Sequence, residues 1–305
     1  MLFLVLGSQL TYAEEGSADT SQLWEVTQGW DERAEIEFSA WIEQFGRARQ
    51  ARKCVRFKTC LGTPEANSLW TPGEKWPRLF ADCADVPYIL RAYFAWKTQR
   101  PFEFHKIHGR RYSRNNKPAS FFSHNHPKFK SIPKLFRHIS AWIHSGSFRF
   151  RPELELTDTY PINVDRKYVR PGTVFYEPRG HVLVVSHIED DGSIYIFDGH
   201  PDNSFTFRRF GDRFKRGSAR NGGGFRNWRW YNLEEQANGE MALVRETNEE
   251  ILARDGGLDG EIQHQKDFKI NGVSVDYFTW VQERMRRAAK ITWLKSMGQG
   301  LARTL

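Results

Sequence analysis

No apolar run in this 305-residue sequence approaches the roughly 18 residues a membrane-crossing helix needs, so a bilayer-spanning segment is not expected and the mature chain should be soluble. Cysteine is scarce. The three present, Cys54, Cys60 and Cys83, form no Cys-x-x-Cys pair, which removes the usual thiolate zinc pattern. The glycine run Gly222 to Gly224 lacks the Lys-Ser/Thr that completes a phosphate-binding loop, so it reads as a flexible turn. Acidic residues are in deficit, 37 against 45 Lys and Arg, for a formal charge of +8. That surplus biases the surface toward anionic partners such as cell-wall polymers or acidic headgroups. No zinc-finger, RRM or basic-zipper pattern accompanies it, so no nucleic-acid partner is expected. No internal repeat is visible.

What the sequence does contain is a core: 39% of residues are hydrophobic and 14% aromatic, enough for one large domain or two small ones. Residues 1–13, MLFLVLGSQLTYA, read as a signal peptide ending in a small-residue site, which implies export to the periplasm or beyond. Residues 14–32 are polar and read as a mobile N-terminus. From Arg33 to Arg52, Ile36, Phe38, Trp41, Ile42 and Phe45 recur at helical spacing. Three prolines and two glycines make Leu61 to Arg78 a loop. A buried helix is expected from Cys83 to Lys97, with Pro87 in its first turn or so, where a missing N–H costs least.

Residues 98–170 read as an insertion, partly helical near Leu135 to His144. Beyond Gly172 the pattern changes to short β-branched or aromatic runs at 173–176, 181–188, 193–197 and 205–210, separated by turn residues, as in an antiparallel meander. Residues 232–305 form a C-terminal extension ending in a helix over Val275 to Met297. The expected fold class is therefore α+β: a helix beginning at Cys83 packed on an antiparallel meander, with added N- and C-terminal helices, in one domain from 33 to 305.

An odd cysteine count in an exported chain leaves one thiol unpaired. Cys54 and Cys60 bracket five residues and are the natural disulfide, so Cys83 is the free thiol. At a helix N-terminus, beside an imidazolium, a thiol is favoured as the thiolate by both dipole and cation. His181 opens a strand directly after Gly180 and would supply that cation. Asp198 or His200, on the next strand, would orient the imidazole; strand alternation puts both on one face and does not separate them. An acid there would accept the Nδ1 proton of His181. His187, six residues along, competes for the role of base. This order of cysteine, histidine and polar residue suits acyl transfer through a thioester.

The segments DCADVPYILRAYFAWK and GTVFYEPRGHVLVVSHIEDDGSIYIFDGHPDN resemble the NlpC-like branch of papain-fold cell-wall amidases and endopeptidases. Asp82-Cys83, Gly172-Thr173-Val174 and His181-Val182 match its motifs position by position. The seventeen- and nineteen-residue intervals to Asp198 and His200 are longer than that branch uses, and are similar to bacterial transglutaminase-like cysteine peptidases. The resemblance implies a papain-like core, a Cys83-His181 pair with Asp198 or His200, and amide cleavage in peptidoglycan peptides without a cofactor. It also calls for a second oxyanion donor upstream of the nucleophile, for which Trp76 is the candidate, packing on the core being the alternative. Asp82, Arg226 and Trp228 join Trp76 as candidate substrate-side residues, the alternative being a core aromatic for Trp228 and a solvated surface arginine for Arg226. Two rivals share the constellation: a non-catalytic module binding cell-wall peptide or glycan, and a transglutaminase-like acyl transferase with a lid in the 98–170 insertion. His105, His108, His124 and His126 show metal-like spacings but no supporting cysteine or carboxylate pattern, so no metal site is expected.

Overall fold

The computed structural model describes residues 23–287, apart from 77–78, 109–116, 150–156, 178, 218–221, 240 and 256–260. The signal-peptide reading of residues 1–13 lies outside the described residues.

Helix α1 (Glu32–Gln50) starts where Asp31 accepts the Ala34 N–H at 2.7 Å. Acids in its first turn and arginines in its last complement the helix dipole. Phe38, Trp41, Ile42 and Phe45 are buried, whereas Ile36 falls outside that stripe and is 63% exposed. Of the stretch 14–32 read as mobile, residues 14–22 lie outside the described residues, and the described part is tied down. Trp24 and Trp30 are buried and donate their indole N–H groups to the Arg100 and Pro101 carbonyls, which fastens residues 24–30 to the domain. Beyond α1, the Cys54–Cys60 disulfide closes around the start of the short α2 (Phe57–Leu61), leaving Cys83 as the free cysteine among the described residues.

Helix α3 (Asp85–Lys97) is buried on nearly every side from Asp85 to Ala95. The 98–170 segment is more regular than expected. It contains an antiparallel hairpin, β1 (Glu103–His108) with β2 (Lys117–Ser123), before α4 (Ile132–Trp142). Next come β3 (Thr159–Pro161), β4 (Val174–Tyr176), β5 (Val182–Ile188), β6 (Ile194–Gly199), β7 (Phe205–Arg209) and β8 (Gly224–Trp228). These six strands form one antiparallel sheet in the order β3-β8-β4-β5-β6-β7. The meander read from sequence is its β4-to-β7 portion, and β8 inserts between β3 and β4.

The sheet has a core on each face. Val182 and Val184 of β5 and Phe197 of β6 pack with residues of α1 and α3; Leu183, Val185, Ile194 and Ile196 face the other way. That explains why β5 is apolar at successive positions rather than alternating with polar residues. The second face is covered by the C-terminal extension. Hairpins β9 (Tyr231–Glu235) with β10 (Met241–Arg245) and β11 (Phe268–Ile270) with β12 (Val273–Val275) flank α5 (Asn248–Asp255), and α6 (Tyr277–Met285) follows. Ile251, Phe268, Trp280, Val281 and Met285 are buried there. Helix α6 starts later than the helical pattern did because Asp276 caps it, accepting the Phe278 and Thr279 N–H groups; the pattern beyond residue 287 lies outside the described residues. No helix among the described residues is long and apolar enough to cross a membrane.

Candidate active site

The run Asp82-Cys83-Ala84-Asp85 explains how a thiol comes to sit at a helix start. The Asp82 carboxylate accepts the N–H groups of Ala84 at 2.8 Å and Asp85 at 3.3 Å, and the Asp85 carboxylate accepts the Asp82 N–H at 2.9 Å. This is a reciprocal capping box, with Val86 N–H already bonded to the Asp82 carbonyl. Asp82 therefore holds the helix start. With Ala84 and Asp85 served by the cap, the Cys83 N–H is the first-turn donor with no acceptor among the described residues, beside a thiol that is 6% exposed.

The sheet meets this helix start at the end of β6. A Cβ on Gly199 would lie 2.7 Å from the Ala81 carbonyl and 2.8 Å from Val86 Cγ2, so glycine is what lets the nucleophile segment lie against the strand. Gly180, at φ +86°, closes the turn that delivers His181 to the head of β5. His181 contacts both the Cys83 thiol and the Asp198 carboxylate. The nitrogen facing Asp198 is Nε2, at 3.0 Å from Oδ2, not the expected Nδ1; Nδ1 is then the nitrogen left for the thiol. Burial alone would lower the His181 pKa, but the contacts with Asp198 and Cys83 outweigh it and raise it to about 10. At neutral pH the ring is an imidazolium.

Asp198 is 1% exposed and is the hub of the cluster. Its Oδ2 lies 2.8 Å from His200 Nε2 as well, so the two histidines approach the same oxygen, their rings stacked with centroids 5.7 Å apart. Its Oδ1 accepts from Thr206, the residue directly across the β6-β7 ladder, and Arg208 stands at 3.8 Å. Asp198 is thus the group adjoining His181, and His200 is a second ring on that acid. Sequence reasoning missed Thr206, Arg208 and Gly199. The cross-strand position of Thr206 is a usable signal only once the β6-β7 register is known.

The other candidates fall elsewhere. His187 is fully buried between Tyr195 and Phe207, out of phase with His181 because a bulge interrupts β5 between Val185 and His187. Arg226 and Trp228 are both buried, Trp228 in the wall of a small pocket with Arg91, Asp158 and Tyr231. Arg226 is 1% exposed and donates to the Thr159 backbone and hydroxyl and to the Gly222 carbonyl, while Trp228 packs edge-on against Tyr88. Trp76 packs against Tyr93 and Phe136, 5.7 and 5.2 Å between centroids, in the wall of a groove it shares with Leu79, Phe80 and Arg137. His105 binds Asp158 at 2.6 Å inside a buried network with Tyr88 and Arg245, and His124 stacks on Trp24. Among the described residues no cluster of His, Cys, Asp or Glu is arranged to hold a metal ion. Compared with protein-family models, curated proteins and solved structures, the chain matches none.

Proposed function

We propose that this chain is a cysteine hydrolase that cleaves amide bonds, on a papain-like core in which a nucleophile helix packs against an antiparallel sheet. The observation that carries the reading is the single imidazole, His181, lodged between the only free thiol among the described residues and a buried carboxylate. In the reaction the Cys83 thiolate attacks the amide carbonyl and the oxyanion is met by the Cys83 backbone N–H. His181 gives its proton to the leaving amine, and the C–N bond breaks to leave a thioester on Cys83. Water, deprotonated by His181, then releases the acid and restores the Cys83 thiolate beside the imidazolium. Asp198 holds the ring and stabilises its charged form, as the acid of a triad does. Thr206 and His200 fix Asp198 in turn.

The substrate class rests on the resemblance of the Cys83 and His181 segments to cell-wall amidases, and is peptidoglycan peptide. A basic surface suits anionic cell-wall polymers, and the Cys54–Cys60 disulfide agrees with an oxidising periplasmic or secreted location. Purified muropeptides incubated with wild type and with Cys83→Ala test the reading. New amine and carboxyl ends should appear with wild type alone. Intact muropeptides under both proteins, with binding retained, would make the fold a carrier of peptide and not a hydrolase.

A further inference from the structure

We propose that the groove between the Leu79–Phe80 segment and α4 is a substrate subsite for a peptide in which an apolar side chain is followed by a carboxylate-bearing residue. The inference rests on the hydrolase reading, since it treats this groove as part of the same cleft. The groove has a volume of about 80 Å³ and is walled by Trp76, Leu79, Phe80, Phe136, Arg137 and Ser140. Two of its walls, Leu79 and Phe80, lie four and three residues before Cys83 in the chain.

Its walls specify the occupant. Phe80 is 60% exposed although aromatic, and its backbone is fixed by the Ser140 hydroxyl, which donates to the Phe80 carbonyl at 2.7 Å. The ring is thus held in water next to an apolar wall, and covering it with an apolar side chain releases that water. The Trp76 Nε1 is buried with no acceptor among the described residues. Arg137 supplies the charge. It is exposed, α4 contains no acid, and Arg137 pairs with no carboxylate among the described residues, whereas Arg47, Arg91, Arg254 and Arg284 each do. A free guanidinium at the rim of an apolar groove recognises a carboxylate in two-point fashion.

The test separates this site from the chemistry. Calorimetric titration of the full-chain Cys83→Ala protein uses acetyl-Phe-Glu-Ala-amide, its Gln counterpart and a Ser-Glu counterpart. The Phe-Glu peptide should bind about tenfold more tightly than either control, and Arg137→Ala should erase its advantage over the Gln peptide. Phe80→Ala, at an exposed position where folding is not at stake, should erase the advantage over the Ser peptide. Equal affinities across the series, or indifference to Arg137→Ala, overturn the subsite. If these preferences hold in Cys83→Ala while wild type cleaves no muropeptide, the subsite stands and the hydrolase reading falls. If wild type cleaves muropeptides but Arg137→Ala and Phe80→Ala leave kcat/KM and binding unchanged, the hydrolase stands and the subsite falls.

Discussion

Replacing Asp198 by Asn keeps the side chain's shape and removes the charge that faces His181. Burial opposes the imidazolium; the contacts with Asp198 and Cys83 are what bring its pKa to about 10. With that pKa the ring is almost wholly charged at about pH 7.5, whereas at an ordinary value near 6.5 only about a tenth of it would be. A shift of this size corresponds to roughly 5 kcal/mol. The His181 side chain is 26% exposed, and screening by solvent reduces that figure. A loss of about tenfold, or ~1.4 kcal/mol, is therefore the expected effect on a thiolate that depends on the cation. The assay is alkylation of Cys83 by iodoacetamide, followed by mass spectrometry from about pH 5 to 10. Wild type should react across the neutral range, and Asp198→Asn about tenfold more slowly there, recovering at alkaline pH. The same shift sets a stability window: the contribution of charged His181 is complete below about pH 6.5 and is lost as pH rises through about 10. Superimposable alkylation profiles for the two proteins would refute the account of His181.

The remaining expectations concern the scaffold. Asp82→Ala removes the acceptor for two first-turn N–H groups and should cost about 1–2 kcal/mol in urea melts, together with a slower Cys83 alkylation rate. Gly199→Ala drives a methyl group into the Ala81 carbonyl and Val86; a cost of about 1–3 kcal/mol is expected, with a larger fractional loss of thiol reactivity than Asp82→Ala gives. Reducing the Cys54–Cys60 disulfide opens a short loop and should cost about 2 kcal/mol in thermal melts without changing Cys83 labelling by His181 variants. His124 is fully buried and held neutral, its pKa lowered to about 4 mainly by burial, so the stability it favours is present above about pH 6.5 and drains away toward pH 4. Urea melts at both ends of that window should differ by about 3 kcal/mol more in wild type than in His124→Gln.

Much of the site was legible because its determinants are local. Asp82 and Asp85 stand at capping-box spacing around Cys83, and Pro87 marks the first turn, so the helix start can be read from six residues. Strands β4 to β7 were legible from β-branched runs between turns. What was hidden depends on register and on partners distant in sequence. Asp198 and His200 share a face, and only the placement of His181 distinguishes them. The bulge that takes His187 out of phase leaves no mark in composition. Arg226 looked like a surface cation because its acceptors, Thr159 and Gly222, come together only when β8 slots beside β3. Trp24 and Trp30 lie in a polar stretch, and the carbonyls that receive their indoles lie more than seventy residues away.

The central claim is that Cys83 becomes covalently acylated. Acid-quenched mixtures of wild-type protein and purified muropeptides, digested and read by mass spectrometry, test it at the bond itself. A thioester adduct is expected on the peptide containing Cys83, decaying as product accumulates and absent in Cys83→Ala. Turnover of muropeptide that persists in Cys83→Ala, with no adduct at this residue in wild type, would contradict it.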